Sequence, residues 1–155
     1  MNRAYLPACC APLDADWPLP HPLPGVQLIS TRFDPARLDA ADFGHCSITP
    51  VPGVAKRQAE YLAGRLCARE ALQRLTGTAS VPASVPASGA DRAPQWPSGI
   101  AGSISHGGGW AGAIVGHSQA WRGLGLDVEK LLPAARAERL AAEILTPAVL
   151  LRLQE

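Results

Sequence analysis

A long helix-forming stretch, residues 54–75, constrains the fold more than any other part of the sequence. Pro52 and Gly53 precede it, and Gly77 follows at the position where a left-handed residue often ends a helix. Apolar residues recur within the stretch at helical spacing, although the apolar stripe is broad. The pattern predicts one long helix, the strongest helix in the chain.

Strand-like segments lie on both sides of this helix. Residues 26–33 form the first predicted strand, and residues 102–105 and 111–115 form two more, joined by a glycine-rich turn at 107–109. A further strand is predicted over residues 123–128.

Shorter helices are predicted elsewhere. One follows Pro35, a second begins at Pro133 and ends near Leu145, and a third is opened by Thr146 and Pro147. Strands and helices therefore occur in both the first and the second half of the chain.

Length and charge narrow the class of protein. A chain of 155 residues can bury one hydrophobic core but is too short for two full domains. Its formal net charge of +1 gives no electrostatic reason to expect a nucleic acid or an acidic membrane as partner. No apolar run approaches the length of about 18 residues that a membrane span needs. The N-terminus also lacks the apolar core of a signal peptide.

Cysteine and proline usage add two further expectations. The four cysteines form no C-x-x-C pair, so we interpret them as reduced thiols of a cytoplasmic protein. Residues 1–25 are rich in Pro, Ala and Cys and predict an extended, partly disordered lead-in. Residues 78–99 form a Pro/Ala/Ser loop, which we interpret as a linker or surface excursion.

Two carboxylates stand two positions apart in Gly123–Glu129. Strand periodicity would place Asp127 and Glu129 on one face, about 7 Å apart at Cα, where both can reach one hard cation. Oxygen-only ligation suits magnesium, which often takes its remaining ligands from phosphates, and the carbonyl of Val128 could supply a further ligand. An ordinary strand with a solvated acidic face explains the same pattern.

The segment Gly102–His106 is followed by three glycines. Ile104 is predicted to point to one side of the strand and Ser103 and Ser105 to the other, with His106 at the strand end. Glycine amides can approach an anion closely, and the hydroxyl and imidazole could bind a phosphate oxygen. A glycine-rich hairpin with a surface histidine is the alternative. A Ser/His/Asp hydrolase is disfavoured because the sequence contains no G-x-S-x-G elbow.

Arginines mark the long helix. Arg57 and Arg65 lie eight residues apart, about 12 Å along the axis, with Tyr61 between them. Guanidinium groups suit bidentate contacts with phosphate, and Arg92 in the loop is a further candidate. A solvated arginine face, or pairing of Arg57 with Glu60, accounts for the same pattern.

The order and spacing of these motifs resemble one family. Lys56–Arg65, Ala93–Gly99, Gly102–His106 and Gly125–Glu129 together are similar to the 4′-phosphopantetheinyl transferases of the enterobactin synthase component D type, related to the surfactin-type group. The similarity covers roughly residues 26–145. It implies an α+β fold, built as a pseudo-twofold pair of halves with the active site in the cleft between them.

The resemblance implies an activity with coenzyme A and an acyl- or peptidyl-carrier protein. Such enzymes move the phosphopantetheine arm of coenzyme A onto a carrier-protein serine and release adenosine 3′,5′-bisphosphate. The coenzyme A phosphates are implied to contact five residues: Arg57, Arg65, Arg92, Ser105 and His106.

The same resemblance implies a magnesium site. Asp127 and Glu129, with the Val128 carbonyl, would hold Mg²⁺ against the pyrophosphate, and the two carboxylates and His106 would be the catalytic residues. A third carboxylate of the family comes from a Lys-Glu-Ala motif, and no such motif follows Glu129. We therefore expect a fragment or a truncated product with little or no transfer activity. Its expected parts are a lead-in (1–25), a coenzyme A-binding half (26–122) and the start of a second half (123–155).

Three hypotheses remain at this stage. The first is a monomeric, cytoplasmic phosphopantetheinyl transferase serving siderophore, fatty-acid or polyketide assembly. The second is a non-catalytic module that retains coenzyme A binding. The third is a metal-dependent phosphohydrolase.

Overall fold

The computed structural model describes residues 5–78 and 93–152. It has a mixed α/β architecture, with a small antiparallel sheet and several helices. In chain order the elements are β1 (Gln27–Arg32), a 3-10 turn (Pro35–Arg37), α1 (Ala41–Cys46), α2 (Ala55–Thr76), β2 (Ile100–Gly107), β3 (Trp110–His117), α3 (Ala134–Ile144) and α4 (Pro147–Arg152). Most of the predicted loop 78–99, including Arg92, lies outside the described residues.

Helix α2 matches the predicted long helix within one residue at each end. It stops at Gly77, whose φ of 68° is left-handed and whose amide donates to the carbonyl oxygen of Gln73. Burial extends along most of the helix and involves more than one side of it. The buried residues are Ala59, Leu62, Ala63, Gly64, Arg65, Leu66, Cys67, Ala68, Ala71 and Leu72. Helix α2 is therefore the centre of the hydrophobic core.

The sheet contains three antiparallel strands in the order β1-β3-β2. Small residues on the central strand, among them Ala111 and Ala113, are fully buried and let α2 lie close to the sheet. Helix α2 lies close to β2 at Gly64, where an added Cβ would lie 2.7 Å from Cγ2 of Ile104. The predicted β2–β3 hairpin is confirmed, with strands longer than expected.

The lead-in packs against β1. Backbone bridges join Cys10 to Phe33 and Asp14 to Ser30, with both Asp14–Ser30 hydrogen bonds formed at 2.8 and 2.9 Å. Cys9 and Cys10 are buried. Residues 5–25 thus form no regular strand, yet they are not the loose segment that the composition predicted. They cover an edge of β1 that would otherwise present unpaired backbone groups.

A buried carboxylate ties the start of the lead-in to α1. Asp42 is 2% exposed and accepts hydrogen bonds from the Tyr5 hydroxyl and from the amide of Asp39. The bond to Asp42 raises the pKa of Tyr5 to about 12. This contact fixes residue 5 against the helix that follows β1.

The predicted strand over residues 123–128 is wrong, because these residues form no ladder with the sheet. The segment is anchored by side chains instead. Leu124 and Leu126 pack against a cluster formed by Val26, Leu28 and Ile114. Their attraction to this apolar surface does not require the segment to pair with a strand through its backbone.

The two C-terminal helices occur where the sequence predicts them, with Pro133 at the N-cap of α3 rather than inside it. No residue of α3 or α4 is buried. Among the described residues, no helix combines the length and apolar character needed to cross a bilayer.

All four cysteines are free and buried, which confirms their interpretation as thiols. Burial raises the pKa of each, and that of Cys67 on α2 reaches about 12. Thiols that resist ionisation are poor nucleophiles and poor metal ligands, so these residues serve the core.

Candidate functional site

The end of β2 brings α2 close to a histidine. His106 lies near the C-terminal end of the strand, with its Nδ1 3.6 Å from Oε2 of Glu60 on α2. The other oxygen of Glu60 lies 4.0 Å from Nζ of Lys56. The Glu60 side chain is 16% exposed and the imidazole 46%, so the carboxylate is the more shielded partner. The imidazole therefore faces the Glu60 carboxylate with one nitrogen and remains accessible to solvent.

The two predicted phosphate-binding arginines of α2 occupy different environments. Arg57 is exposed near the start of the helix, where its Cδ lies close to Gly53. Arg65 is only 4% exposed, and its guanidinium lies 4.8 Å from the centroid of the Tyr61 ring. Eight residues correspond to a rotation of about 80° around the helix, so the two side chains do not share one stripe.

The guanidinium of Arg65 has unused donors. Its Nε and Nη1 are buried and have no hydrogen-bond partner among the described residues. Buried charged donors without partners are rare in proteins and require a specific explanation. A solvated arginine face is not that explanation, because this side chain is not solvated.

Ser105 and His106 project from opposite faces of β2. Ile104 and His106 face α2, while Ser105 faces the segment around Val128, as the strand alternation predicts. Ser105 is 9% exposed, and its hydroxyl accepts a hydrogen bond of 3.2 Å from the Val128 amide. The structure thus gives the hydroxyl a partner within the chain.

Asp127 and Glu129 are both exposed, whereas Val128 between them is half-buried. The predicted alternation of faces therefore holds even though the segment is not a strand. Neither carboxylate forms an ion pair among the described residues. Two free carboxylates on the same side of an extended segment fit a hard cation that takes its other ligands from water and phosphate.

The described residues contain no group of three or more His, Cys, Asp or Glu side chains gathered as a metal site. The carbonyl oxygen of Val128 lies against β2, 3.0 Å from where a Cβ on Gly107 would be. Its assignment as a metal ligand stays a prediction.

The end of β2 contacts α2 on one face and the Val128 segment on the other. His106 links it to α2, which carries Arg57 and Arg65, and Ser105 links it to the acidic segment. Arg92 lies outside the described residues, so its predicted role stays a prediction.

Two residues at this site were not assigned a role from the sequence. Glu60 was considered only as a partner for Arg57, and Gly107 only as part of a turn. The signal for Glu60 lies in its helical position, four residues before Gly64, where α2 approaches β2. No signal within one strand could identify the contact of Gly107 with Val128.

Comparisons with known proteins show what most of the chain is similar to. Residues 52–116, which begin just before α2 and end one residue before the end of β3, match the family model for the 4′-phosphopantetheinyl transferase N-terminal domain. Enterobactin synthase component D from Escherichia coli O157:H7 is 36% identical over 130 residues, which are 82% of this chain and 58% of that protein.

Two further relatives are similar over shorter regions. The 4′-phosphopantetheinyl transferase PptT of Mycobacterium tuberculosis is 39% identical over 90 residues, covering 53% of this chain and 38% of the relative. The 4′-phosphopantetheinyl transferase Npt of Nocardia iowensis is 37% identical over 76 residues, covering 49% of this chain and 32% of the relative. The chain thus matches between about a third and three fifths of the length of these relatives.

Proposed function

We propose that this chain, which belongs to the 4′-phosphopantetheinyl transferase superfamily and to its enterobactin synthase component D type, takes part in moving phosphopantetheine from coenzyme A to a carrier-protein serine. The observation that carries the proposal is the position of β2. Its last residues contact Glu60 of the arginine-bearing helix through His106 and, on the other face, the amide of Val128, which lies between Asp127 and Glu129. A pyrophosphate needs cationic groups and a metal-binding pair at one place.

In the proposed reaction the serine oxygen forms a bond to the phosphorus that carries pantetheine, and the bond to adenosine 3′,5′-bisphosphate breaks. The serine proton passes to a base. Such a displacement requires positioning and charge neutralisation more than covalent help. Bound Mg²⁺ would stabilise the negative charge that develops on the phosphate oxygens.

The residues of this chain have separate roles in the proposal. Arg57, which is exposed, would bind a coenzyme A phosphate at the rim of the site. The Arg65 guanidinium, with its unpartnered donors, would add positive charge from the interior and hydrogen-bond the ligand after a small side-chain movement. His106 would donate to a phosphate oxygen from the nitrogen that does not face Glu60.

Asp127 and Glu129 would hold Mg²⁺, with the Val128 carbonyl as a weaker candidate ligand. A Lys-Glu-Ala segment is not present in these 155 residues. We propose that a complete site needs a third carboxylate from such a segment, in a pseudo-twofold arrangement of two halves. Catalysis by the isolated chain should then be poor even if coenzyme A binds.

The test uses the complete gene product, incubated with coenzyme A, Mg²⁺ and an apo-carrier protein. Mass spectrometry should show the carrier protein gain one phosphopantetheine group. Asp127→Asn should lower the transfer rate by about 100-fold or more, because it removes a metal-binding charge used in the transition state. Glu138→Gln, at an exposed position on α3, is the matched control and should transfer normally.

Each outcome separates the hypotheses. Coenzyme A binding without any transfer by the folded gene product would favour the non-catalytic module. Hydrolysis of the pyrophosphate without a carrier protein would favour the phosphohydrolase. Full activity in Asp127→Asn would show that the metal site lies elsewhere.

The setting of the reaction is part of the proposal. Four buried thiols fit a reducing compartment, so we place the protein in the cytoplasm, acting as a monomer. Relatives named for enterobactin synthase make a siderophore carrier protein the first one to test, followed by fatty-acid and polyketide carrier proteins.

A further inference from the structure

The acidic segment, residues 126–130, contacts the sheet through the packing of Leu126 and through one hydrogen bond. Among the described residues, the Val128 amide donating to the Ser105 hydroxyl is the one hydrogen bond that residues 123–130 form. Ser105 is 9% exposed as a residue, so water competes little for its side-chain oxygen. A side-chain hydroxyl here takes the place of the backbone carbonyl that a neighbouring strand would offer.

A glycine completes the contact from the other side of Val128. If Gly107 carried a Cβ, that atom would lie 3.0 Å from the Val128 carbonyl oxygen and 3.5 Å from its Cγ1. The first distance is tighter than ordinary packing, so a side chain at 107 would require the Val128 carbonyl to shift by a few tenths of an ångström. Val128 thus donates its amide to Ser105, and its carbonyl oxygen occupies space that a side chain at position 107 would need.

This contact sets the direction of both carboxylates. Asp127 and Glu129 are the immediate neighbours of Val128, and both are exposed while Val128 is half-buried. Their separation and direction follow from the backbone dihedral angles at Val128, which has no strand partner to fix them. We propose that Ser105 and Gly107 are positioning residues that hold Asp127 and Glu129 in the geometry needed for the divalent cation.

The importance of this positioning for cation binding rests on the proposed function, whereas the contact of Val128 with Ser105 does not depend on it. Mg²⁺ demands near-ideal octahedral geometry, whereas Ca²⁺ tolerates irregular sites. A loosened acidic segment should therefore lose affinity for Mg²⁺ more than for Ca²⁺. A general loss of folding would lower both affinities together.

The inference also gives Ser105 a role that differs from phosphate binding. A hydroxyl can accept from Val128 and still donate its own proton, so both roles are chemically compatible. They separate by experiment, because a phosphate contact would change coenzyme A affinity and leave the Val128 amide unaffected.

The direct test is amide hydrogen exchange of Val128 in the complete gene product without metal or coenzyme A. Ser105→Ala should lower the protection of this amide by about tenfold, as expected for loss of one shielded hydrogen bond. Ser103→Ala is the matched control, since Ser103 lies on the same face two residues earlier and has no hydrogen bond to residues 126–130. It should change the protection by less than about twofold. Ser105→Thr keeps the hydroxyl and should restore the protection.

A second pair of variants tests Gly107 independently of the hydroxyl. Gly107→Ala should weaken binding of Mn²⁺, used as an observable substitute for Mg²⁺ in paramagnetic resonance, by about tenfold in the presence of coenzyme A. Gly123→Ala should not, because an added Cβ there meets nothing within 4 Å. Ser105→Ala should behave like Gly107→Ala, with Ca²⁺ affinity changed less than Mg²⁺ affinity.

The outcomes distinguish this inference from the proposed function. Unchanged Val128 protection in Ser105→Ala would overturn the positioning role, whatever the enzyme activity. If the unaltered protein fails to bind Mn²⁺ while Val128 protection still depends on Ser105, the contact is real and the metal assignment is wrong. Equal losses in Ser103→Ala and Ser105→Ala would also overturn the inference.

Discussion

Helices α2 and α3 show opposite relations between sequence pattern and burial. Helix α2 has a broad apolar stripe, yet buried residues occur from Ala59 to Leu72. Helix α3 is strongly amphipathic, yet none of its residues is buried, and Ile144 is 69% exposed. An apolar stripe indicates which face a helix can bury, whereas the presence of a partner surface decides whether it does so. In this structure the sheet supplies that surface to α2.

The largest expected effect comes from shortening one side chain in each helix. Leu62→Ala should lower the free energy of unfolding by about 2–5 kcal/mol, because Leu62 is fully buried and a cavity would remain. Ile144→Ala on α3 should change it by less than about 0.5 kcal/mol. Urea unfolding measures both. A large loss for Ile144→Ala would mean that the α3 face is covered in solution.

Replacing a helix glycine with alanine tests how closely that helix packs against its neighbours. Gly64→Ala should destabilise the protein by about 1–2 kcal/mol, because overpacking against Ile104 exceeds the gain in helix propensity. Gly44→Ala in α1 is the control: its Cβ meets nothing within 4 Å, so a gain of about 0.5–1 kcal/mol is expected.

A double variant with Ile104→Ala should remove the penalty of Gly64→Ala, seen as a coupling energy in thermal or urea unfolding. Additive effects would contradict the close contact.

The buried thiol of Cys67 on α2 should make the stability of the protein depend on pH. Its pKa rises from 9.0 to about 12 on folding, so the unfolded thiol ionises first as the pH increases. The resulting stabilisation is complete below pH 9 and disappears as the pH rises towards 12. Cys67→Ala should therefore reduce the loss of stability over this range, although the other buried thiols still contribute.

A cysteine introduced on the exposed helix α3 should react readily, in contrast to the buried Cys67 on α2. Ala137→Cys, at an exposed position, should add one thiol that reacts quickly with Ellman's reagent, while the four native cysteines stay protected until unfolding. Rapid reaction of a native cysteine would show that the α2 core opens locally.

The smallest effect is expected at the partly exposed end of α2. Glu60→Gln removes the charge beside His106 and should change the free energy of unfolding by less than about 0.5 kcal/mol. The difference should shrink further in 1 M salt. A loss well above this, unaffected by salt, would mean that Glu60 serves the core rather than the site.

The sequence predicts where helices and strands lie along the chain better than it predicts which segments they pack against. Gly77 identifies the end of α2 because its left-handed φ requires a residue without a Cβ. The β2–β3 hairpin is likewise identified by local glycines. The segment 123–128 alternates like a strand but does not pair as one. Its position depends on the Ser105 hydroxyl and on the apolar cluster beneath Leu124 and Leu126, which are distant in sequence.

The candidate site was predictable in composition and only partly in geometry. Motif order alone assigns His106, Asp127 and Glu129 to one site, and that assignment stays a prediction. It does not reveal that Arg65 is buried with unpartnered donors, because the burial depends on how α2 lies against the rest of the core. Motif order also does not reveal which elements contact Ser105 and His106 on the two opposite faces of the sheet.

The bridges between the lead-in and β1 have a consequence for how the protein can be shortened. A version beginning at residue 16 would lack the partners of Ser30 and Phe33 and the Tyr5–Asp42 bond. Its outer strand would then offer free amides and carbonyls to another copy, so self-association into β-rich aggregates should increase. A proline-rich beginning that looks dispensable in the sequence thus protects solubility.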